Sequence, residues 1–412
     1  MKLFLITFLI CLTSLAQTKS AFFADLEQIQ EKSNALKSEQ EKLEAASDQL
    51  LSKRLFWTPS LSLTAGRNEG YVQSTNGGGS RTSLNGDYWK ANAALNIFKG
   101  GADLDLKNAA QAQLIAQRFK VQDESLKLEV RAATLIFQRL YLQDVLQTTQ
   151  KLVKLRDESH RIVEIKYKQG KSPLQEVRKS EIDQLQQLSR LRNLEIQVLE
   201  NQALWKSLLL DQIKTTDWPL SPQSKIGFTT KSRTPELNSL EKTTAATESL
   251  WKATRAGHWP SIDLTAEYKE NPLVDRTTQQ WVAGVQLTIP LWSQFETTAQ
   301  SSIAYSEFVT NKYRLDSLRQ TEMAQKEVLN QRVELARLNL MDAKQSFAQS
   351  EGLYQDMLKS FRFGRMSINE LLIEQNRLIE SQLNLSQSQL DFHKMLIEGC
   401  AIAGLRAASC FN

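Results

Sequence analysis

Three histidines and three cysteines are the residues of this 412-residue chain best suited to metal or redox chemistry. Their spacing supports neither. His160, His258 and His393 lie far apart with no cysteine nearby, whereas a zinc site needs ligands a few residues apart on one turn or helix face. Met357 and Met366 flank one sequence break and could serve as a soft-metal pair or as plain gap-fillers. Asn76-Gly77-Gly78-Gly79 lacks the Lys-Ser/Thr and the strand-to-helix context of a phosphate loop. No nucleophile sits in sequence beside a base and an orienting group. The reading is therefore a protein without catalytic residues, cofactor or metal. The net charge of +5 is spread along the chain and gives no reason to expect nucleic acid.

The positions that stand out instead are two breaks between very long uninterrupted tracts. Gly101 to Gln169 holds no proline and no glycine beyond its first residue, and as a helix it would be roughly 100 Å long. It ends at Gly170-Lys171-Ser172-Pro173, where glycine permits a left-handed turn and proline suits the first turn of a returning helix. A second tract, Gln294 to Phe363, ends at Gly364-Arg365-Met366-Ser367. The chain has only 16 Gly and 8 Pro, clustered in a few places, and Gln, Leu, Ala, Glu, Lys and Arg fill the rest. That composition belongs to long helices or coiled coils.

Residues 1–16 read as a secretory signal, with Lys2, an apolar core over Leu3–Leu12 and a Ser14-Leu15-Ala16 cleavage site. The apolar run is well under the ~20 residues that span a bilayer. No later segment approaches about eighteen consecutive apolar residues, so any membrane insertion must be by strands. After export, Cys400 and Cys410 either close a short C-terminal loop or stay as two thiols.

In order, the chain predicts a helix over 24–54, with Leu26, Ile29, Leu36, Leu43, Leu50 and Leu51 near heptad spacing. Strands follow over 60–98. Leu61 and Leu63 alternate with serines and threonine, and Ala91, Ala93, Leu95 and Ile97 alternate with Asn92, Ala94 and Asn96. Residues 74–87, rich in Gly, Ser and Asn, read as an exposed loop between them. The long hairpin occupies 101–210. A polar, proline-bearing linker (215–234) leads to a helix over 235–257 and strands over 261–291, with a short loop near Asn271–Thr278. Ile262, Leu264, Ala266 and Tyr268 share one face of that pair with Trp281, Ala283, Val285, Leu287 and Ile289. A second long hairpin covers 294–404. Phe98 to Gly170 and Trp292 to Gly364 both span 72 positions, and Trp57-Thr58-Pro59-Ser60 matches Trp259-Pro260-Ser261. The chain is a duplication: a first repeat over 17–214, a second over 235–405, and a tail over 406–412.

Strands apolar on one face and polar on the other, about ten residues long, suit a tilted crossing of a bilayer. A barrel in lipid must close, and four strands cannot close around a bore, so several copies would share one barrel. The other reading is a small soluble sheet packed on helices. Summed in pairs, the shorter helices match the long ones, predicting a wall of antiparallel helices of even height beside the barrel.

With these features the chain resembles the outer-membrane efflux family of TolC type. The resemblance rests on Trp57-Thr58-Pro59 and Trp259-Pro260 before the strand pairs and Ile97-Phe98-Lys99-Gly100-Gly101 after the first pair. It rests also on the tips Tyr167-Lys168-Gln169-Gly170 and Phe361-Arg362-Phe363-Gly364. It implies an all-α-dominated fold with a small transmembrane β part, in which a homotrimer pools four strands per chain into a twelve-stranded barrel continued by a periplasmic α-barrel. It implies a passive exit duct in the outer membrane of a Gram-negative bacterium, serving tripartite efflux or type I secretion. The implied partners are a periplasmic adaptor (membrane fusion) protein, an inner-membrane transporter and outer-membrane lipid.

The resemblance also implies roles for single positions. Gly170, Lys171 and Ser172, with Gly364, Arg365 and Met366, would be adaptor-docking tips. Glu370 would constrict the tunnel entrance, although the companion acidic position is Ile373 here. Leu61, Leu63, Leu95, Ile97, Ile262, Leu264, Val285, Leu287 and Ile289 would face lipid. The first tip is basic, with Lys166, Lys168, Lys171, Arg178 and Lys179 against Glu164 and Glu176. That is either a solvated helix end or a surface complementary to an acidic adaptor tip or anionic cargo. A soluble periplasmic coiled-coil adaptor or scaffold is the competing function.

Overall fold

Tracts free of glycine and proline let each added residue extend a helix at little cost, and the chain follows them closely. The computed structural model describes residues 21–73, 81–208, 213–219, 233–273, 276–291, 295–363, 368–407 and 410–411. The signal segment lies outside them. Residues 21–32 form α1, and α2 spans Asn34–Arg54. Strands β1 (Ser60–Gln73) and β2 (Arg81–Lys99) follow, then α3 (Ala102–Lys168) and α4 (Leu174–Ser207). The second half runs α5 (Pro235–Arg255), a single 3-10 turn (Ala256–His258), β3 (Ser261–Leu273), β4 (Arg276–Thr288), α6 (Glu296–Arg362) and α7 (Ile368–Ile402). Helices α3 and α6 each have 67 residues, and α4 and α7 have 34 and 35. Equal lengths in equal order are the structural form of the repeat.

Three sequence expectations need correction. The single helix expected over 24–54 is broken at Ser33, whose hydroxyl accepts the N–H of Leu36 (3.3 Å). Serine at this position competes for the backbone donor and restarts the helix as an N-cap. The loop expected over 74–87 starts where β1 ends but finishes too late, because β2 starts at Arg81, paired with Gln73; residues 74–80 lie outside the described ones. Likewise β3 and β4 pair as far as Leu273 and Arg276, inside the loop expected near 271–278. Alternation marks a strand only where one face must avoid water, so a polar extension of a ladder carries no such mark.

The chain folds into two compact units. One comprises Glu39–Val121 and Glu236–Arg319, and the other the described residues of Met1–Ser38, Gln122–Pro235 and Gln320–Asn412. The first unit holds the sheet, antiparallel throughout in the order β1-β2-β3-β4. Both strand-to-helix turns in it use a left-handed residue immediately before the helix, Gly101 (φ 83°) before α3 and Phe295 (φ 64°) before α6. Gly100 (φ 61°) is also required by space, since a Cβ there would come within 2.7 Å of the Trp259 Cβ.

The second unit buries Phe22 of α1, Phe137 of α3, His393, Leu396 and Ile397 of α7 and Phe411 of the tail. The Phe137 ring lies 5.7 Å from Phe22 and 5.9 Å from Phe411. Cys400 and Cys410 form a disulfide, which settles the alternative left open by the sequence. Buried Asp25 accepts the N–H groups of Lys214 and Thr215 and the Thr215 hydroxyl (2.7–3.2 Å). Buried Glu129 accepts the Gln30 amide and the Ala407 N–H. Both carboxylates thereby anchor irregular chain to the helices, and their lone pairs are met by donors, as burial demands.

Candidate functional site

The sheet's register turns the period-two pattern into rows. Leu61, Ala93, Ala266 and Ala283 lie opposite one another across the four strands, and so do Leu63, Ala91, Tyr268 and Trp281. The next rows are Leu95, Leu264 and Val285, then Phe98, Ile262 and Leu287. Leu61 is 80% exposed, Leu63 73% and Val285 68%, with Ile97, Leu264, Leu287 and Ile289 also exposed and Leu95 and Ile262 partly so. A continuous apolar face of this extent marks an interaction surface. Ile97 departs from the simple alternation. The register shifts between Asn96 and Phe98, so Ile97 is the extra residue of a bulge and Phe98 takes the place opposite Ile262.

The opposite face is polar. Lys90 pairs with Glu267 (2.7 Å), the Asn96 amide donates to Asp263 (2.7 Å), and the Lys269 ammonium sits 5.8 Å from the Tyr88 ring centroid. The outer edges of β1 and β4 carry no ladder among the described residues.

Aromatic rows at both ends of the apolar face are the feature that sequence reasoning missed. Trp89 and Tyr268 (centroids 4.9 Å apart) and exposed Trp281 mark the loop end. Trp57, Phe98, Trp259 and Phe295, all exposed, mark the helix end. Tyr268 lies nine residues after Trp259, which is ~30 Å along a strand and ~23 Å in height at ~40° tilt. The third alternating run ends on Tyr268 and the fourth begins on Trp281, and that was the available signal.

The first tip is built as the breaker residues predict. Gly170 (φ 70°) donates its N–H to Tyr167 O (2.8 Å), and Lys171 N–H reaches back to Lys166 O (2.8 Å). This satisfies the last carbonyls of α3. Pro173, extended, caps α4. Lys171 is exposed, whereas Ser172 is buried and donates its hydroxyl to Glu176. The Lys168 ammonium pairs with Glu164 (2.8 Å) and holds that carboxyl below its usual range. Gly364, Arg365 and Met366 lie outside the described residues. Glu370 is exposed in the first turn of α7, one turn before exposed Ile373. In the same unit, Arg156 of α3 donates to the Asn376 amide oxygen of α7.

Among the described residues no group of three or more His, Cys, Asp or Glu could hold a metal. His160 shares a hydrogen bond with the Ser180 hydroxyl (2.8 Å). His393 is buried between the carbonyls of Gln389 (2.7 Å) and Pro219 (3.2 Å), and burial pushes its pKa below the ordinary 6.5. No described helix is long and apolar enough to cross a membrane. What the fold offers instead is an amphipathic four-stranded ribbon joined to paired long helices.

Comparison with known proteins agrees. The family model of the outer membrane efflux protein matches residues 26–209 and 229–398, and the chain belongs to that family. No curated protein matches the sequence. The fold is that of solved outer-membrane channels. The Campylobacter jejuni CmeC channel is 15% identical with a TM-score of 0.80, over 92% of this chain and 85% of that one. VceC of Vibrio cholerae is 14% identical with a TM-score of 0.78, over 94% and 97%. The open state of the Neisseria gonorrhoeae MtrE channel is 16% identical with a TM-score of 0.70, over 94% and 90%. The family and these neighbours are channel proteins, not enzymes, and the protein's place is the outer membrane.

Proposed function

We propose that this chain is the outer-membrane exit duct of a tripartite efflux or type I secretion system, working as a homotrimer. The observation that carries the proposal is the single apolar face of the sheet, aligned row by row across all four strands and bounded by aromatic residues at both ends. Its estimated height is close to the ~25 Å apolar band of outer-membrane barrels. In lipid the open edges of β1 and β4 must find partners. Edge-to-edge joining of three copies gives twelve strands, with the polar face of Lys90, Asn96, Asp263 and Glu267 lining a wet bore. Exposed Ile182, Leu185, Ile196 and Leu199 on α4, and Leu335 and Met341 on α6, offer helical surface to neighbouring copies in a periplasmic tunnel.

In this reading Leu61, Leu63, Leu95, Ile97, Ile262, Leu264, Val285, Leu287 and Ile289 face lipid. The tips at Gly170, Lys171 and Ser172 and at Gly364, Arg365 and Met366 meet a periplasmic adaptor, through which an inner-membrane transporter drives export. The exposed backbone turn and Lys171 make the contact at the first tip, while Ser172 holds the turn through Glu176. Glu370 narrows the entrance. The exported chain loses residues 1–16, and its repeats, 17–214 and 235–405, are joined by the linker 215–234 and followed by the tail 406–412. The duct is passive, because nothing in its sequence resembles a nucleotide site.

The test is Val285→Arg. A charge on the lipid face costs about 2–4 kcal/mol at mid-bilayer, felt once per subunit. The variant is expected to lose its trimers from the outer-membrane fraction, while Gln286→Arg on the bore side keeps them. A soluble scaffold would tolerate both, and full retention of Val285→Arg trimers would reject the duct.

A further inference from the structure

The apolar face of the sheet is not level. Ala93, Ala266 and Ala283 stand side by side on adjacent strands, with Ala91 one row further on. These methyl groups floor a trough of about 570 Å3, walled by Leu61 and Leu63 on one side and by Tyr268 and Trp281 on another. The row of Leu95, Leu264 and Val285 raises the remaining side. Successive same-face rows are ~7 Å apart and strands ~4.8 Å apart. The recess is therefore about one side-chain row wide and several strands long.

We propose that this trough seats a saturated acyl chain of an outer-leaflet glycolipid, one per subunit; the proposal rests on the duct reading above. Joining of subunits through the β1 and β4 edges extends the sheet sideways and leaves its faces uncovered, so another copy does not fill the trough. Water gains little there, since the lining is mostly apolar, with Ser62, Asn92 and Glu267 its only polar residues besides Tyr268 and Trp281 among the described residues. Within the bilayer the remaining occupant is hydrocarbon. The gain is packing rather than the hydrophobic effect: an unfilled recess forfeits dispersion contacts along its whole floor. A straight chain can follow a channel one row wide, whereas a cis double bond would lift the chain off the alanines.

The leaflet follows from the trough's height. It lies one row inside the aromatic residues at the loop end, away from the helices of the same unit. The helices extend into the periplasm, so the trough opens towards the outer leaflet, where lipopolysaccharide supplies saturated chains. Trp281, 76% exposed at that rim, can present its indole N–H to the ester region of the lipid.

The experiment uses the mature protein reconstituted in nanodiscs that hold lipopolysaccharide and a monounsaturated phosphatidylethanolamine in equal amounts. Lipids retained after release into mild detergent are counted by native mass spectrometry. Wild type is expected to keep up to one lipopolysaccharide per subunit. Ala266→Phe, which fills the trough, should retain at least tenfold less, and Ala283→Leu should also lose it. Leu287→Phe, on the same face one row beyond the trough's wall, should retain it fully. Retention of phosphatidylethanolamine instead, equal retention by Ala266→Phe and wild type, or no retained lipid on wild-type trimers would overturn the proposal. The wild-type count decides even if a variant fails to assemble. A wild-type protein that appears only as a monomer would instead refute the duct reading, which the same spectra report separately.

Discussion

Single residues here act mainly by what they leave room for. Gly100 and Gly101 are neighbours with positive φ, yet they do different things. A side chain at Gly100 meets the Trp259 Cβ and the Ala256 carbonyl, whereas one at Gly101 meets nothing within 4 Å. A left-handed alanine costs about 1–2 kcal/mol from backbone sterics alone. Gly101→Ala should therefore lower stability by about that amount, and Gly100→Ala by clearly more. Thermal unfolding of the two variants side by side checks the order. His393 gives a pH prediction. Burial among Phe137, Trp218, Phe392 and Phe411, with the charge of Lys344 adding a smaller effect, keeps it neutral below the ordinary 6.5. The unfolded chain therefore takes up the proton first as pH falls. The stability that neutral His393 contributes is complete above pH 6.5 and is lost progressively below it. Unfolding curves between pH 8 and about 5 should show this fall in wild type and a flatter profile in His393→Phe.

At the scale of elements, both ends of the chain are locked into one core. Phe22 of α1 and Phe411 of the tail pack edge to face (5.4 Å), and the disulfide ties the tail to α7 across a separation of ten residues. Closing so short a loop removes unfolded-chain entropy worth about 2–3 kcal/mol. The Cys400→Ser, Cys410→Ser double variant, or wild type under reductant, should unfold at correspondingly lower denaturant. It should also expose the tail to carboxypeptidase. An unchanged midpoint would mean that Phe411 and the Ala407–Glu129 hydrogen bond hold the tail without the bridge. The tip of α3 and α4 is a different kind of element, closed almost entirely by its own backbone and by Ser172–Glu176. Its exposed basic residues are free of the core, so the tip can be altered without loss of the hairpin.

For the whole molecule, assembly and export should separate. Removing residues 165–175 and rejoining the helices with a short turn should leave trimers in the outer membrane but abolish export, read as accumulation of a pump substrate. Normal export by that variant would show that the first tip takes no part in docking. The sheet argues similarly at this scale. Its four strands come from two repeats, joined where Asn96 meets Asp263 across 167 positions of sequence, so neither repeat alone can present the full apolar face.

The helix spans, both tip breaks, the duplication and the choice of apolar face were legible in the sequence because each is a local periodicity or a local absence of breakers. Leu61, Leu95, Leu264 and Val285 sit on one face simply because strands alternate. Only tertiary structure decided the rest. The pairing of β2 with β3 set which residues share a row. It also produced the bulge at Ile97 and aligned the aromatic residues at two heights. The polar ends of the strands were hidden from sequence, since a strand wet on both faces needs no alternation. The break at Ser33 turns on one hydrogen bond from Leu36, which heptad spacing does not mark, and the bridge from Cys400 to Cys410 sits in a tail held by Phe22, Glu129 and Phe137, hundreds of residues away in sequence. Short-range patterning fixes what each segment becomes; burial and register, which are long-range, decide what it touches.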